Sequence, residues 1–284
     1  MENGLSNSDA LNGARLSFIG SGVMAEAIIA GLLGKNLVKP EQVAGSHPRA
    51  ERREQLEAKY GIRLFEHNRE AVEATSSIVV LTVKPQRLNV VLRDLKEAVK
   101  PEHLVISIVA GARIETIVDA LQHRSIVRAM PNTPAQIGEG MTVWTATAEV
   151  SAAQQAQIHA VFGALGREMH VEEERMIDMA TALSATGPTY TFLVMEALID
   201  AGVHLGFSRH VAEELVLQTM LGSVLFAQES RKHPAELRNM VTSPGGTSAE
   251  AIYQMEKGGL RTVLSKAVWA AYQRATALGR TAKE

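Results

Sequence analysis

Short apolar runs alternate with amphipathic stretches through the first 170 residues, and this alternation predicts βαβ units on a mostly parallel sheet. The runs at 16–20, 42–45, 78–83, 104–108, 125–129 and 141–145 read as strands. Helical spacing lies between them, for instance over 24–33, 51–60 and 88–99, and a last strand over 168–171 closes the sheet. Beyond Glu172-Glu173-Glu174 the β pattern stops. From Arg175 onward the periodicity is helical, with long segments over 190–205, 211–229 and 259–277. Leu, Val, Met and Ala fall on more than one face of these helices, which predicts burial deep in a core or between subunits. The switch near residues 172–175 divides the chain into a doubly wound α/β domain over 14–174 and an all-α domain over 175–284.

Composition narrows this picture. A chain of 284 residues suggests two domains, each able to bury a core. The formal charge of −2, with 21% charged residues, offers no basic face for nucleic acid or an anionic membrane. Without cysteine there are no disulfides, no thiolate chemistry and no cysteine metal sites, which fits a reducing compartment. Residues 1–13 are polar, lack a signal-peptide core and read as a disordered tail. The apolar run at 16–34 is interrupted by Glu26 and by glycines, so it reads as strand, turn and helix rather than a membrane span. The expectation is a soluble, cytoplasmic protein.

The chemistry begins at Ile19-Gly20-Ser21-Gly22-Val23-Met24-Ala25, an apolar strand running into a glycine turn and then a helix. Gly20 allows the tight turn, Gly22 admits a pyrophosphate against the backbone, and Ala25 stands where helix and strand pack closely. With a strand before it and a helix after it, this reads as a dinucleotide site. After the second strand, Ser46-His47-Pro48-Arg49 lacks the acid that would hold a free ribose 2′-hydroxyl. Ser46 and Arg49 or Arg52 suit a 2′-phosphate, which favours NADPH with NADH possible, although Arg49, Arg52 and Arg53 also read as a solvated helix face. Val83-Lys84-Pro85-Gln86, Val109-Ala110-Gly111 and Met130-Pro131-Asn132-Thr133-Pro134 fall at other strand ends, where ligands of open α/β sheets bind. The histidines His103, His123, His159 and His233 are scattered without metal spacing and read as surface or capping residues.

A second candidate site is Val241-Thr242-Ser243-Pro244-Gly245-Gly246-Thr247-Ser248-Ala249-Glu250. Proline and two glycines make a turn, and Thr247 and Ser248 are good N-cap types ahead of a helical pattern. Exposed amides beside hydroxyls at a helix start suit a carboxylate or phosphate, and the same residues also suit an ordinary capped turn between two helices.

Together these motifs resemble the pyrroline-5-carboxylate reductase family over nearly the whole chain after the tail, in order: IGSGVMAEAI, VKPQ, SIVAG, RAMPNTP, LSATGPTY and VTSPGGTSAEA. The last two are absent from generic nicotinamide dehydrogenases. The resemblance implies a Rossmann-like nucleotide domain and an all-helical C-terminal domain that forms a homodimer, with dimers often joined into larger rings such as a decamer. It implies cofactor contacts at Ile19, Gly20, Ser21, Gly22, Val23, Met24, Ser46, Asn68, Val83, Lys84 and Ala110. It places a small-molecule substrate among Glu174, Thr186, Thr247 and Ser248. The chain departs from the family pattern at Ala185, Thr186 and Thr189, each bulkier than usual, and at Ser248, where threonine is common.

The implied reaction moves a hydride to the carbon of a cyclic C=N bond. No His or Lys lies within the two substrate motifs, so the expectation is hydroxyl hydrogen bonding rather than a strong general acid. Amides of Gly246, Thr247 and Ser248 are expected to hold the carboxylate, and Thr186 the ring nitrogen or its proton, which makes Thr186 and Ser248 the candidate catalytic pair. Three alternatives are a larger ring such as a piperideine carboxylate, a β-hydroxyacid dehydrogenase and a non-catalytic paralogue. The dehydrogenase reading would need a catalytic lysine, and 176–190 contains none. The intact glycine turn and Ser-Pro-Gly-Gly hydroxyls count against the paralogue.

Overall fold

A computed structural model describes residues 7–74 and 77–281. The chain begins with α1 (Asn7–Ala10), β1 (Leu16–Ile19), α2 (Val23–Gly34), β2 (Val43–Ser46), α3 (Ala50–Tyr60), β3 (Arg63–Phe65) and α4 (Asn68–Glu73). It continues with β4 (Ile78–Leu81), α5 (Leu88–Leu95), β5 (Leu104–Ser107), α6 (Ile114–Leu121) and β6 (Ile126–Met130). Next come β7 (Gly140–Ala146), α7 (Ala152–Gly163), β8 (Gly166–His170) and α8 (Arg175–Ala180), which runs into a π-helical turn at Thr181–Ala185. The helices α9 (Gly187–His204), α10 (Arg209–Ser230), α11 (Pro234–Met240), α12 (Thr247–Lys257) and α13 (Leu260–Thr281) complete it.

The strands form one sheet in the order β3-β2-β1-β4-β5-β6-β7-β8. The first six strands are parallel, β7 is antiparallel to β6, and β8 is parallel to β7. Period-two alternation explains why this sheet is covered on both faces. Leu16, Phe18, Ile78, Val80, Leu104 and Ile106 face α2, α3 and α7, while Ile19, Val79, Leu81 and Val105 face α4, α5 and α6. Both sets are apolar, so the central strands read as continuous hydrophobic runs, the mark of a parallel sheet buried on both sides.

Several boundaries differ from the sequence reading. Residues 7–13, expected within a disordered tail, instead form a helical start whose Leu11 is fully buried in the core. The first six residues lie outside the described part. The three-residue strand β3 and the short α4 were not anticipated, since neither is long enough to show a period. The helix expected over 88–99 stops at Leu95, and Ala98 and Val99 turn back onto the Leu95 carbonyl ahead of Pro101.

By contacts the chain separates into two compact units, residues 7–186 with 271–281, and residues 187–270. In the second unit α9 and α10 pack at Gly202, where a Cβ would lie 2.9 Å from that of Ala212. Ala212 is the one hydrophobic residue of 187–270 that is buried, whereas Phe192, Leu193, Leu221, Val224, Leu225 and Trp269 are about half exposed or more. A helical unit with no core of its own is stable only when its apolar faces are covered from outside it. Among the described residues no helix is long and apolar enough to cross a membrane.

Candidate active site

The glycine turn is pinned from every side except one. Strand β1 delivers the chain to Gly20 at φ +93°, where an added Cβ would stand 2.7 Å from Val83 Cγ1. The Gly20 and Ser21 amides donate to the Ser46 carbonyl at 3.2 and 2.9 Å. Thr82 Oγ1 donates to the Gly20 carbonyl at 2.8 Å, and Arg52 Nε donates to the Ser21 carbonyl at 3.2 Å. Gly22 then caps α2 in extended geometry without a side-chain cap. Among the described residues nothing accepts from the amides of Val23, Met24 and Ala25. Open amides and the positive end of a helix dipole make an anion cradle. At Gly22 an added Cβ would meet nothing nearer than 3.9 Å, so on the protein side the space is free for a pyrophosphate.

The two glycines therefore separate fold from binding. Gly20→Ala is expected to destabilise the fold by about 2 kcal/mol or more, through left-handed strain and the Val83 clash. Gly22→Ala is expected to leave the thermal midpoint nearly unchanged and to weaken dinucleotide binding by about tenfold or more. Melting curves beside cofactor titrations check both; equal loss of stability in the two variants would contradict the assignment.

The neighbouring candidates gather at adjacent strand ends. Strands β1, β4 and β5 lie side by side with Ile19 beside Leu81 and Leu81 beside Ser107, so the segments carrying Gly20 to Met24, Val83, Lys84 and Ala110 follow neighbouring carboxyl ends. Ile19 is buried beneath the turn, Lys84 is exposed, and Val83 and Ala110 are half-buried. Ser46 requires a correction. It was expected to donate to a 2′-phosphate, but it is fully buried and its hydroxyl donates to Asn68 Oδ1 at 2.8 Å, while Asn68 Nδ2 donates to Asp94 at 3.0 Å. Ser46 and Asn68 thus brace the turn from below. Arg49 is exposed at the start of α3 and forms no ion pair among the described residues. Burial and the nearby arginines hold His47 below its ordinary range, and its Nδ1 accepts from the Arg49 amide at 3.2 Å.

Substrate candidates divide between the units. In the first, the Thr186 amide donates to the Thr181 carbonyl at 2.9 Å, five residues back, and Thr186 Oγ1 donates to the same oxygen at 2.8 Å. With its proton so engaged, the Thr186 hydroxyl presents lone pairs and acts as an acceptor. Such π turns recur at functional sites. Glu174 lies in a network: its Oε1 accepts from Arg128 Nη1 at 2.8 Å and from the Ile114 amide at 2.9 Å. Asp178 accepts from Arg128 Nη2 at 2.5 Å, and Arg128 itself is buried. Glu174 therefore ties β6 and the start of α6 to α8.

In the second unit, Gly245 takes φ +69° and α12 is capped by Gly246 rather than by Thr247 or Ser248. That corrects two expectations. The Gly246 amide is already donated to the Ser243 carbonyl at 3.1 Å, and Thr247 and Ser248 stand inside the helix rather than capping it. The Thr247 and Ser248 amides and hydroxyls remain without a partner among the described residues. The groups left open for an anion are thus those of Thr247 and Ser248, without the Gly246 amide.

Sequence reasoning missed Thr82, Arg128 and Asp178. The one available signal was an arginine amid the apolar run Ile126-Val127-Arg128-Ala129-Met130, since a buried charge requires partners. His103 and His123 also depart from the surface reading: both are buried, and His123 Nε2 lies 2.8 Å from the His103 carbonyl.

Comparison with known proteins bears on these sites. Residues 174–278 match the family described as pyrroline-5-carboxylate reductase dimerisation, and residues 15–111 the family described as NADP oxidoreductase, coenzyme F420-dependent. The pyrroline-5-carboxylate reductase of Pseudomonas aeruginosa is 43% identical over 265 residues, covering 93% of this chain and 96% of that protein. The Synechocystis enzyme of the same name is 41% identical over 266 residues, covering 94% and 98%. The crystal structure of Plasmodium falciparum pyrroline carboxylate reductase with NADP bound superposes with a TM-score of 0.86 at 31% identity, covering 94% of this chain and 98% of that one.

Proposed function

The chain belongs to the pyrroline-5-carboxylate reductase family, and on that premise we propose that it reduces 1-pyrroline-5-carboxylate to L-proline with NADPH, the last step of proline synthesis. The observation that carries the reading furthest is the start of α12, where the Thr247 and Ser248 amides lack the side-chain cap that an ordinary capped turn supplies and stand beside two unbonded hydroxyls, a set suited to a carboxylate.

The residues at the glycine turn fit a dinucleotide. The open amides of Val23 to Ala25 take the pyrophosphate across Gly22, Arg49 takes a 2′-phosphate, and Val83, Lys84 and Ala110 border the remainder. When bound there, NADPH supplies the hydride delivered to the imine carbon. Thr247 and Ser248 hold the substrate carboxylate through amides and hydroxyls. Thr186, whose proton is engaged by Thr181, accepts the N–H of a protonated imine. That selects the better electrophile, because its nitrogen becomes neutral as hydride arrives. Orientation and hydrogen bonding are the protein's contribution to such a reaction.

Glu174 acts on substrate through the Arg128 network rather than as a direct anion ligand, since its own charge repels a carboxylate. The enzyme works as a homo-oligomer, with a dimer built on the 187–270 helices and dimers joined into a ring such as a decamer. The absence of cysteine fits placement in the cytoplasm.

Steady-state NADPH oxidation tests the reading, with racemic 1-pyrroline-5-carboxylate beside a six-membered cyclic imine carboxylate, and with NADH in place of NADPH. Turnover is expected to favour the five-membered ring and NADPH. A preference for the larger ring would keep the mechanism and move the substrate to a six-membered imine carboxylate. No turnover on either ring would overturn the enzymatic reading.

A further inference from the structure

The arginines at the start of α3 are not equivalent. Arg53 is tied back to its own loop, donating to the His47 carbonyl at 2.8 Å and approaching Glu66 at 3.4 Å. Arg52 uses all three guanidinium nitrogens: Nε to the Ser21 carbonyl at 3.2 Å, Nη1 to Gln55 at 2.7 Å and Nη2 to Glu26 at 2.6 Å. Glu26 stands in the first turn of α2, directly after the cradle amides, and also accepts from Lys59 at 2.8 Å and Tyr60 Oη at 2.9 Å. Burial opposes its ionisation, but the hydrogen bonds from Lys59, Arg52 and Tyr60 prevail and hold Glu26 at about 2. Arg49 is different. It is exposed, forms no ion pair among the described residues, and borders a pocket of about 350 Å³ shared with Glu51, Arg52 and Gln55.

Taking Arg49 as the 2′-phosphate residue of the reading above, we propose that Arg52 is not a phosphate ligand but positions the glycine turn for either dinucleotide. A phosphate of nearly two negative charges is bound by a cation whose charge is not already neutralised and whose fork is free. Arg52 meets neither condition, because Glu26 neutralises it and three partners fix its plane. What Arg52 does control is the turn: it joins the Ser21 carbonyl, two residues before the cradle amides, to the first turn of the helix that carries them. Releasing that clamp loosens the anion site shared by NADPH and NADH, whereas removing Arg49 affects only the cofactor that carries the extra phosphate.

The inference rests on reading the first unit as a dinucleotide site, and calorimetric titration of the intact oligomer with NADPH and NADH separates the two claims. Binding of neither cofactor to the unaltered protein would overturn the site reading itself. With that binding in place, Arg49→Gln is expected to weaken NADPH about 10- to 100-fold and to leave NADH within about twofold. Arg52→Gln is expected to weaken both by the same factor, about fivefold or more, so that the NADPH/NADH ratio is kept. Loss of NADPH affinity alone in Arg52→Gln would make Arg52 a phosphate ligand and overturn the proposal, as would unchanged affinity for both. If Arg52→Gln fails to fold, Glu26→Gln loosens the same clamp with Arg52 present. Equal weakening there supports the proposal, and unchanged affinities overturn it.

Discussion

Replacing Thr186 by valine is expected to lower kcat about 100-fold, the usual scale for removing one positioned hydrogen-bonding group from a transition state. The Kd for NADPH should stay within about twofold, because Thr186 lies outside the glycine turn and its braces. Valine matches threonine in shape, and the main-chain bond from residue 186 to the Thr181 carbonyl does not depend on the side chain, so the π turn survives. The acceptor is lost, together with the hydroxyl's own bond to the Thr181 carbonyl. Thr186→Ser keeps that acceptor and the bond to Thr181, and should recover most of the rate. Pre-steady-state reduction at saturating cofactor measures the chemical step directly. If Thr186→Val reduces substrate at the unaltered rate, the hydroxyl has no part in holding the imine.

The second large effect concerns assembly. On α10, Leu217, Leu221, Val224 and Leu225 form an i, i+4, i+7, i+8 stripe that is about half exposed in the single chain. Changing Leu221 and Leu225 to glutamate places four apolar-to-charged changes in each dimer. At about 2 kcal/mol for each leucine removed from burial, this amounts to roughly 8 kcal/mol, or between five and six decades in the dimer Kd, before the carboxylates are desolvated. Because Ala212 is the single buried hydrophobic residue of 187–270, loss of the partner removes most of the apolar contact available to that unit. Light scattering should show monomers or aggregates, and circular dichroism should show helix loss confined to roughly the second unit. An intact oligomer melting as before would show that this stripe is not the interface.

How far the sequence carried these conclusions depends on range. Local chemistry was legible: the glycine turn, the apolar runs of the central strands and the Pro244-Gly245-Gly246 turn all appear where residue types demand them. Choices among hydrogen-bond partners were not. Ser46 looked like a phosphate donor because its hydroxyl falls after a strand, yet Asn68, 22 residues on, takes that proton. Thr247 looked like a cap by type, yet Gly246 fills the position and leaves the amides open. Arg128, Glu174 and Asp178 meet across 50 residues, and no period or spacing announces such a meeting. Side-chain pairing is decided by neighbours that only the fold supplies.

The π turn at Thr181–Ala185 carries a last consequence, for insertions and deletions rather than substitutions. It holds one residue more than an α-helical turn closing on the same carbonyl would. Deleting Leu183 or Ala185 would let an ordinary α-helical turn close on that carbonyl, four residues at about 100° each, and Thr186 would keep nearly its present bearing on the axis that α8 defines. The wide turn thus takes up its extra residue locally while it holds the hydroxyl against the Thr181 carbonyl. In relatives, a gap of a single residue between α8 and Thr186 would then be a milder change than a replacement that removes the hydroxyl.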